Sequence, residues 1–191
     1  MTTDLGRPRD PRIDDSVLHA TVELLGTSGY ADLSVDAIAK RAGTSKPAIY
    51  RRWPSKAHLV HEAVFPISEA TELPDTGSLG QDVREMVRRS TGVLTTPAAR
   101  AALPGLLAEM ATDPTLHAKL LDRFGDVTSR GMTDRLEAAM RRGEVRADVT
   151  AADLVEAIAG MALMAIITRN HELDDAWVER TATLITKGIS A

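Results

Sequence analysis

The sequence predicts an all-α protein, and three observations carry that prediction. Apolar residues recur at spacings of three and four, helix-capping residues stand ahead of those runs, and strand signals are absent. Aromatic residues make up only 3% of the chain, and no segment sustains the every-second-residue alternation of a half-buried strand. With 191 residues, 43% of them hydrophobic, the chain is long enough for one large domain or two small ones with a real core.

The first helix is expected to start at Asp10-Pro11, where Asp10 can cap and Pro11 lacks an N–H that a first turn does not use. Ile13, Val17, Ala20 and Leu24 then line one face, and Gly26 and Gly29 end the helix. Ser34 caps a short second helix with Val35, Ile38 and Ala39 inward, closed by Gly43. Thr44, Ser45 and Pro47 open a third, which carries Ala48, Ile49, Tyr50, Arg51, Arg52 and Trp53 and stops at Pro54. Ser55 caps a fourth, running through Lys56, Leu59, Val60, Val64 and Phe65. Pro66 and the turn formers Pro74, Asp75, Thr76, Gly77 and Ser78 mark a linker. They divide the chain into residues 1–66 and 67–191. Five more helices are expected: Leu79 to Leu94, Ala98 to Ala111, Thr115 to Arg142, Ala151 to Arg169, and Asp175 to Ile189. Gly125 and Gly131 are the places for an interruption of the longest.

Composition removes several classes of function. Without cysteine there is no disulfide scaffold, thiol nucleophile or thiolate metal site. Asp4, Arg7, Arg9 and Asp10 interrupt the apolar run that a leader peptide needs. The longest uncharged apolar run, Ala157 to Ile167, is shorter than the roughly 20 residues of a spanning helix. A soluble, cytoplasmic protein with no membrane association is therefore expected. His58, His61 and Glu62 stand at one-turn spacing but lack a further convergent ligand, so they read as a solvated face, and neither metal nor cofactor is expected. His171, Glu172, Asp174 and Asp175 look like helix termination followed by capping. No nucleophile elbow, phosphate-binding loop or dinucleotide fingerprint occurs. No catalytic residue is assigned, and an enzyme is not expected.

Charge distribution is more informative than total charge. The net charge is −4, which alone argues against a nucleic-acid binder. Yet Met1 to Pro66 carries nine Lys and Arg against eight acids, and Ala37 to His61 holds six bases and no acid. A local basic stripe on an acidic chain is the footprint of a small phosphate-facing surface, the alternative being a solvated helix face.

Two short helices across a glycine turn form a helix-turn-helix pattern. Ile38, Ala39, Ile49 and Trp53 are spaced to pack the two helices together, and Gly43 supplies the left-handed turn. Lys46, Ala48, Tyr50, Arg51 and Arg52 are then outward. Lys or Arg can pair with guanine in the major groove, and Ala48 can touch a thymine methyl. Thr44, Ser45 and Lys56 lie at helix starts suited to phosphate.

Residues Gly29 to Val60, reading G-Y-A-D-L-S-V-D-A-I-A-K-R-A-G-T-S-K-P-A-I-Y-R-R-W-P-S-K-A-H-L-V, resemble the DNA-binding segment of the TetR family of bacterial regulators. The matched elements are the Gly-Tyr before the second helix, I-A-x-x-A-G into the turn, I-Y-x-x-aromatic in the third helix, and S-K opening the fourth. They cover about a third of the chain. The resemblance implies about nine helices: an N-terminal helix-turn-helix DNA-binding domain, a connecting fourth helix, and a C-terminal helical ligand-binding and dimerisation domain. It implies that Tyr50 and Lys56 contact phosphate, that Lys46, Ala48 and Arg52 face base edges, that Arg51 touches phosphate, and that Trp53 is core. Ser34, Thr44 and Ser45 complete the candidate DNA contacts. Asp36 either faces phosphates or caps its helix. Gly6-Arg7-Pro8-Arg9 is a basic arm in which Arg7 and Arg9 can enter a minor groove, the alternative being a tail with incidental charge.

The expected function is that of a homodimeric regulator, a repressor of a palindromic operator in double-stranded DNA, released by a small-molecule effector. Met86, Met110, Phe124, Met132, Met161 and Met164 are candidate pocket residues, because methionine adapts to varied ligands. By resemblance the last two helices form the dimer interface, with Leu154, Ile158, Met161, Trp177, Thr181, Leu184 and Ile185 as candidates. The rival readings are a helical small-molecule-binding protein with a vestigial DNA-binding head, and a nonspecific DNA-coating protein. The acid-free basic stretch speaks against the first, and the acidic remainder against the second.

Overall fold

The computed structural model describes residues 11–66, 76–169 and 173–191, with side chains described at all of these except 11, 119–131 and 169. Among them are nine helices: α1 (Pro11–Asp32), α2 (Val35–Arg41), α3 (Lys46–Tyr50), α4 (Lys56–Val64), α5 (Leu79–Leu94), α6 (Pro97–Thr112), α7 (Pro114–Arg141), α8 (Ala151–Arg169) and α9 (Asp175–Ile189). The all-α expectation holds. The β-pairing found among the described residues is one isolated bridge between Val145 and Ser190.

Helix ends follow from side chains that satisfy the first free N–H groups. Ser34, Ser45, Ser55, Thr96, Asp113 and Asp174 each accept a hydrogen bond from a first-turn N–H of the helix they open. Thr150 and Asp153 cap α8 reciprocally. The Asp153 N–H donates to the Thr150 hydroxyl at 3.1 Å, and the Thr150 N–H to the Asp153 carboxylate at 2.8 Å. That hydrogen bonding holds the Asp153 carboxyl below its ordinary range. The linker end is tied down by buried Asp82, which accepts from the Thr76 N–H and hydroxyl. The clearest differences from expectation are at α3 and α1: α3 ends at Tyr50, leaving Arg52 and Trp53 beyond it. α1 continues to Asp32, with a non-helical break at Gly29, so Tyr30 is carried on a last turn set at a new angle. The Asp10 cap lies outside the described residues, and no described break divides α7 at Gly125 or Gly131.

Two cores form. The first joins α1 to α4 with one face of α6 and the start of α7: Val17, Leu25, Ile38, Ile49, Trp53, Leu59 and Val60 pack with Ala98, Ala99, Ala102, Leu106 and Leu116. The second joins α5, α8, α9 and the C-terminal half of α7, through Val83, Val87, Leu136, Leu154, Ile158, Trp177 and Val178. The cores therefore do not follow the chain division at residues 66 and 67.

Within the single chain, α8 is poorly covered. Its stretch Ala151–Thr168 is long and apolar enough to cross a membrane by length and composition, yet only 22% of it is buried. The stretch exceeds the uncharged run Ala157 to Ile167 because it also takes in Asp153 and Glu156. Met164, Ile167 and, on neighbouring α9, Leu184 are large apolar side chains left about 60% exposed.

Candidate nucleic-acid interface

The turn between α2 and α3 is built on backbone geometry. Gly43 adopts φ 66°, a left-handed conformation that glycine takes without a Cβ penalty. The Thr44 N–H then reaches back to the Ala39 carbonyl at 2.9 Å, and the Gly43 N–H to Lys40 at 3.4 Å. These are the two bonds of a Schellman C-cap. Ser45 begins α3 at once, its hydroxyl accepting from the Ala48 N–H at 3.3 Å. Ile38, Ala39, Ile49 and Trp53 are buried beneath the turn, so hydrophobic burial fixes the angle between the two helices.

This framework turns Lys46, Pro47, Tyr50 and Arg51 to solvent, with Ala48 half-buried beside them. Tyr50 is a large ring left 41% exposed on a helix whose other large apolar residue, Ile49, is buried. The sequence-predicted residues Lys46, Ala48, Tyr50 and Arg51 thus share one patch with the capping residues Thr44 and Ser45. Ser34 caps α2, accepting from the Ala37 N–H. The Thr44 backbone N–H is used by the Schellman bond, so Thr44 offers phosphate its hydroxyl alone.

Internal ion pairs hold much of the basic stripe. The Lys46 ammonium donates to Asp36 at 2.7 Å, and that carboxylate holds it above its ordinary pKa. Asp36 therefore neither caps α2 nor stands alone: it answers the first residue of α3. Arg41 pairs with Glu23 of α1 at 2.9 Å. Arg52 is a correction. Its side chain is only 15% exposed and pairs with Asp14 of α1, so it clasps the end of α3 to the scaffold instead of facing base edges. Lys56 is likewise turned inward. Its ammonium donates to the Tyr30 carbonyl at 3.0 Å and lies 4.3 Å from the centre of the Tyr30 ring. Lys40 and Arg51 are exposed and make no ion pair among the described residues. Arg7 and Arg9 lie outside the described residues.

Tyr30 joins this head to the rest of the molecule. Its hydroxyl donates to Glu109 of α6 at 2.7 Å, and burial plus that carboxylate push its pKa far up. Its ring lies so close over Gly105 of α6 that a Cβ there would overlap ring carbons. Sequence reading missed Gly105 and Glu109, since nothing local to α6 announces a partner 75 residues earlier.

Other expectations also need correcting. His61 is not on a solvated face: it is buried and packs on Phe65, with ring centroids 5.4 Å apart. The candidate pocket residues do not converge. Met86 and Met132 are buried in the second core, Met161 packs against it, Met110 packs against the first core, and Met164 is exposed. The side chain of Phe124 lies outside the described residues. A groove of about 440 Å³ occurs elsewhere, between the α7–α8 connection and α9, lined by residues including Arg146, Asp153, Leu154 and Ile185. Among the dimer candidates, Leu154, Ile158, Trp177, Thr181 and Ile185 are buried in the chain's own second core, and Leu184 is the outward one. α9 packs mainly on α5, and Arg84 of α5 pairs with Glu179 of α9 at 2.7 Å.

A helix-turn-helix head with a cationic second helix, carried on a larger helical domain, defines a DNA-binding regulator of transcription. Comparison with known proteins agrees. Residues 17–63 match the family model described as bacterial regulatory proteins, tetR family, and residues 73–185 match the tetracyclin repressor-like C-terminal domain. The chain is 31% identical over 170 residues to the DNA-binding transcriptional repressor TetR of Mycobacteroides abscessus, covering 86% of this chain and 87% of that protein. It is 28% identical to an uncharacterized HTH-type transcriptional regulator, YdeS, of Bacillus subtilis, over 100% of this chain and 96% of the relative. A crystal structure of a TetR family transcription regulator superposes with TM-score 0.67 at 30% identity, covering 94% of this chain and all of the other. The chain belongs to the TetR family of bacterial transcriptional regulators, which is not a family of enzymes.

Proposed function

We propose that the chain works as a homodimeric cytoplasmic repressor whose two heads grip a palindromic operator and let go when a small molecule binds the helical domain, residues 1–66 forming the head unit and 67–191 the effector and dimerisation unit. The observation that carries this reading is the exposed face of α3. Lys46, Tyr50 and Arg51 stand clear of the fold beside half-buried Ala48, on a helix held by caps and by Ile49. A helix so presented fits a major groove, where its N-terminal residues meet base edges. Ser34, Thr44 and Ser45 supply hydroxyls whose protons remain available to phosphates. Lys56 and Arg52 act mainly by holding α4 and α3 in place.

Dimerisation through α8 and α9 is supported by the uncovered apolar surface at Met164, Ile167 and Leu184. A second copy of the chain would cover it, and two-fold symmetry pairs each patch with itself. Half-sites would then lie about 34 Å apart or at a multiple of that spacing. Release requires an effector that binds the non-DNA form better. The Tyr30 contact with Gly105 and Glu109 is the place where a shift of α6 would reach the head.

The test is selection of random duplexes on the purified protein at physiological salt. A palindrome enriched by about 10³-fold or more over bulk DNA is expected. Uniform recovery of all sequences by folded, ligand-free protein would leave this reading without support.

A further inference from the structure

Asp36 is an acid at the edge of a surface offered to a polyanion, and its geometry gives it a use there. Its carboxylate is 69% exposed and accepts from the Lys46 ammonium at 2.7 Å. Lys46 is the first residue of α3 and Asp36 lies in the first turn of α2. The pair is not needed to hold the two helices. The Schellman turn, the Ser34 and Ser45 caps and the buried Ile38, Ile49 and Trp53 already do that, and an exposed ion pair adds little.

The bond to Asp36 uses one of the three ammonium protons and one carboxylate oxygen. Two donors and one carboxylate oxygen stay available, side by side, on two exposed side chains. DNA phosphates offer a carboxylate nothing to accept, whereas the major groove offers two donors, the exocyclic amines of cytosine and adenine. Adenine's edge offers a single acceptor, N7, beside that amine, so it engages only one of the two free ammonium donors. A G·C pair instead presents guanine N7 and O6 acceptors followed by the cytosine N4 donor. Two donors followed by an acceptor on the protein match two acceptors followed by a donor on that edge.

We propose that Asp36 and Lys46 act as one unit that reads a single G·C base pair in each half-site, Lys46 donating to guanine and Asp36 accepting from the cytosine amine. The inference rests on α3 entering the major groove. It makes Asp36 a specificity-determining residue. Because the pair is neutral, it adds selectivity without adding to the attraction for DNA at large.

The experiment is parallel selection of random duplexes on the wild type, Asp36→Asn, Asp36→Ala and Lys46→Gln at one salt concentration, each variant first shown to melt like the wild type. The wild type is expected to select a G·C pair at one symmetric position with roughly tenfold discrimination or more. Asp36→Asn should move that position toward A·T, since an amide suits adenine. Asp36→Ala and Lys46→Gln should make that position weaker or indifferent, and every other position should keep its preference. Unchanged sequence preferences in Asp36→Asn and Asp36→Ala, with tighter binding to all duplexes and a steeper salt dependence, would overturn the proposal and leave Asp36 as a charge brake on Lys46. A wild type that selects no sequence would overturn the major-groove reading itself, and this inference with it.

Discussion

Two exposed surfaces of the molecule prepare for contact in opposite ways. At the head, Lys46 and Arg41 are already engaged by Asp36 and Glu23 in exposed ion pairs. On α8 and α9, Met164, Ile167 and Leu184 are apolar and uncovered. A charged surface can idle in water with its partners provisionally satisfied, because exposed ion pairs cost little to make or break. An apolar surface has no such provisional state, and its exposure is a standing penalty that only burial removes. Contacts of the first kind can be made and released often and respond to salt. Those of the second kind suit a lasting assembly.

The largest effect expected from breaking this contrast is at the apolar surface. Leu184→Glu puts a charge into the proposed interface, twice by symmetry, and should weaken dimerisation by about 2–4 kcal/mol. Sedimentation across a dilution series would show monomers at concentrations where the wild type is dimeric, with the helical content of each chain unchanged. A dimer that resists the change places the interface elsewhere.

Arg52→Ala comes next. Its guanidinium is turned to Asp14, so the loss should appear as about 1.5–3 kcal/mol of folding stability in a urea titration. Binding should weaken alike on matched and mismatched duplexes. A selective loss at one guanine, with unchanged stability, would instead restore Arg52 to the base-reading face.

Gly105→Ala probes the joint between the cores. A Cβ would overlap the Tyr30 ring, and crowding of this kind costs about 1–3 kcal/mol. Gly92→Ala is the control: open space surrounds it, and replacing a helical glycine by alanine gains about 0.5–1 kcal/mol. The two variants should move the melting temperature in opposite directions. If Gly105→Ala also stabilises, Tyr30 can yield and the joint is loose.

The smallest effect is on pH dependence. The pKa of Tyr30 is raised in the folded protein, so between the unfolded value, about 10, and the folded one the native state binds more protons. The stabilisation is complete below the unfolded pKa and is lost as pH rises through the folded one. Tyr30→Phe should therefore flatten the alkaline limb of a stability-against-pH curve. An unaltered limb would assign the alkaline loss to other groups.

Legibility in the sequence followed the range of the interactions involved. The bounds of α5, α8 and α9 agree with expectation because caps and glycines act within one turn. The turn at Gly43 and the burial of Ile38, Ile49 and Trp53 were legible for the same reason. The inward turn of Arg52 was not, because Asp14 lies 38 residues away. Nor was the outward face of α9. Trp177, Thr181, Leu184 and Ile185 all suit a helical stripe, and only the packing of the second core decides that Leu184 is left out. The methionines failed as pocket markers because they fill gaps in both cores, and sequence spacing does not say which core a methionine serves.

The first core takes Ala98, Ala99, Ala102, Leu106 and Leu116 from beyond the linker. Exchanging the first 66 residues for those of another regulator, the obvious way to redirect such a protein to a new operator, would therefore cut through a packed interior. A working hybrid needs the matching face of α6 to travel with the transplanted head, including a glycine wherever the incoming chain brings an aromatic ring against it. On the proposed reading of α3, redirecting the protein is simpler from the surface, by altering Lys46, Tyr50, Arg51 and their neighbours on a head left in its own setting.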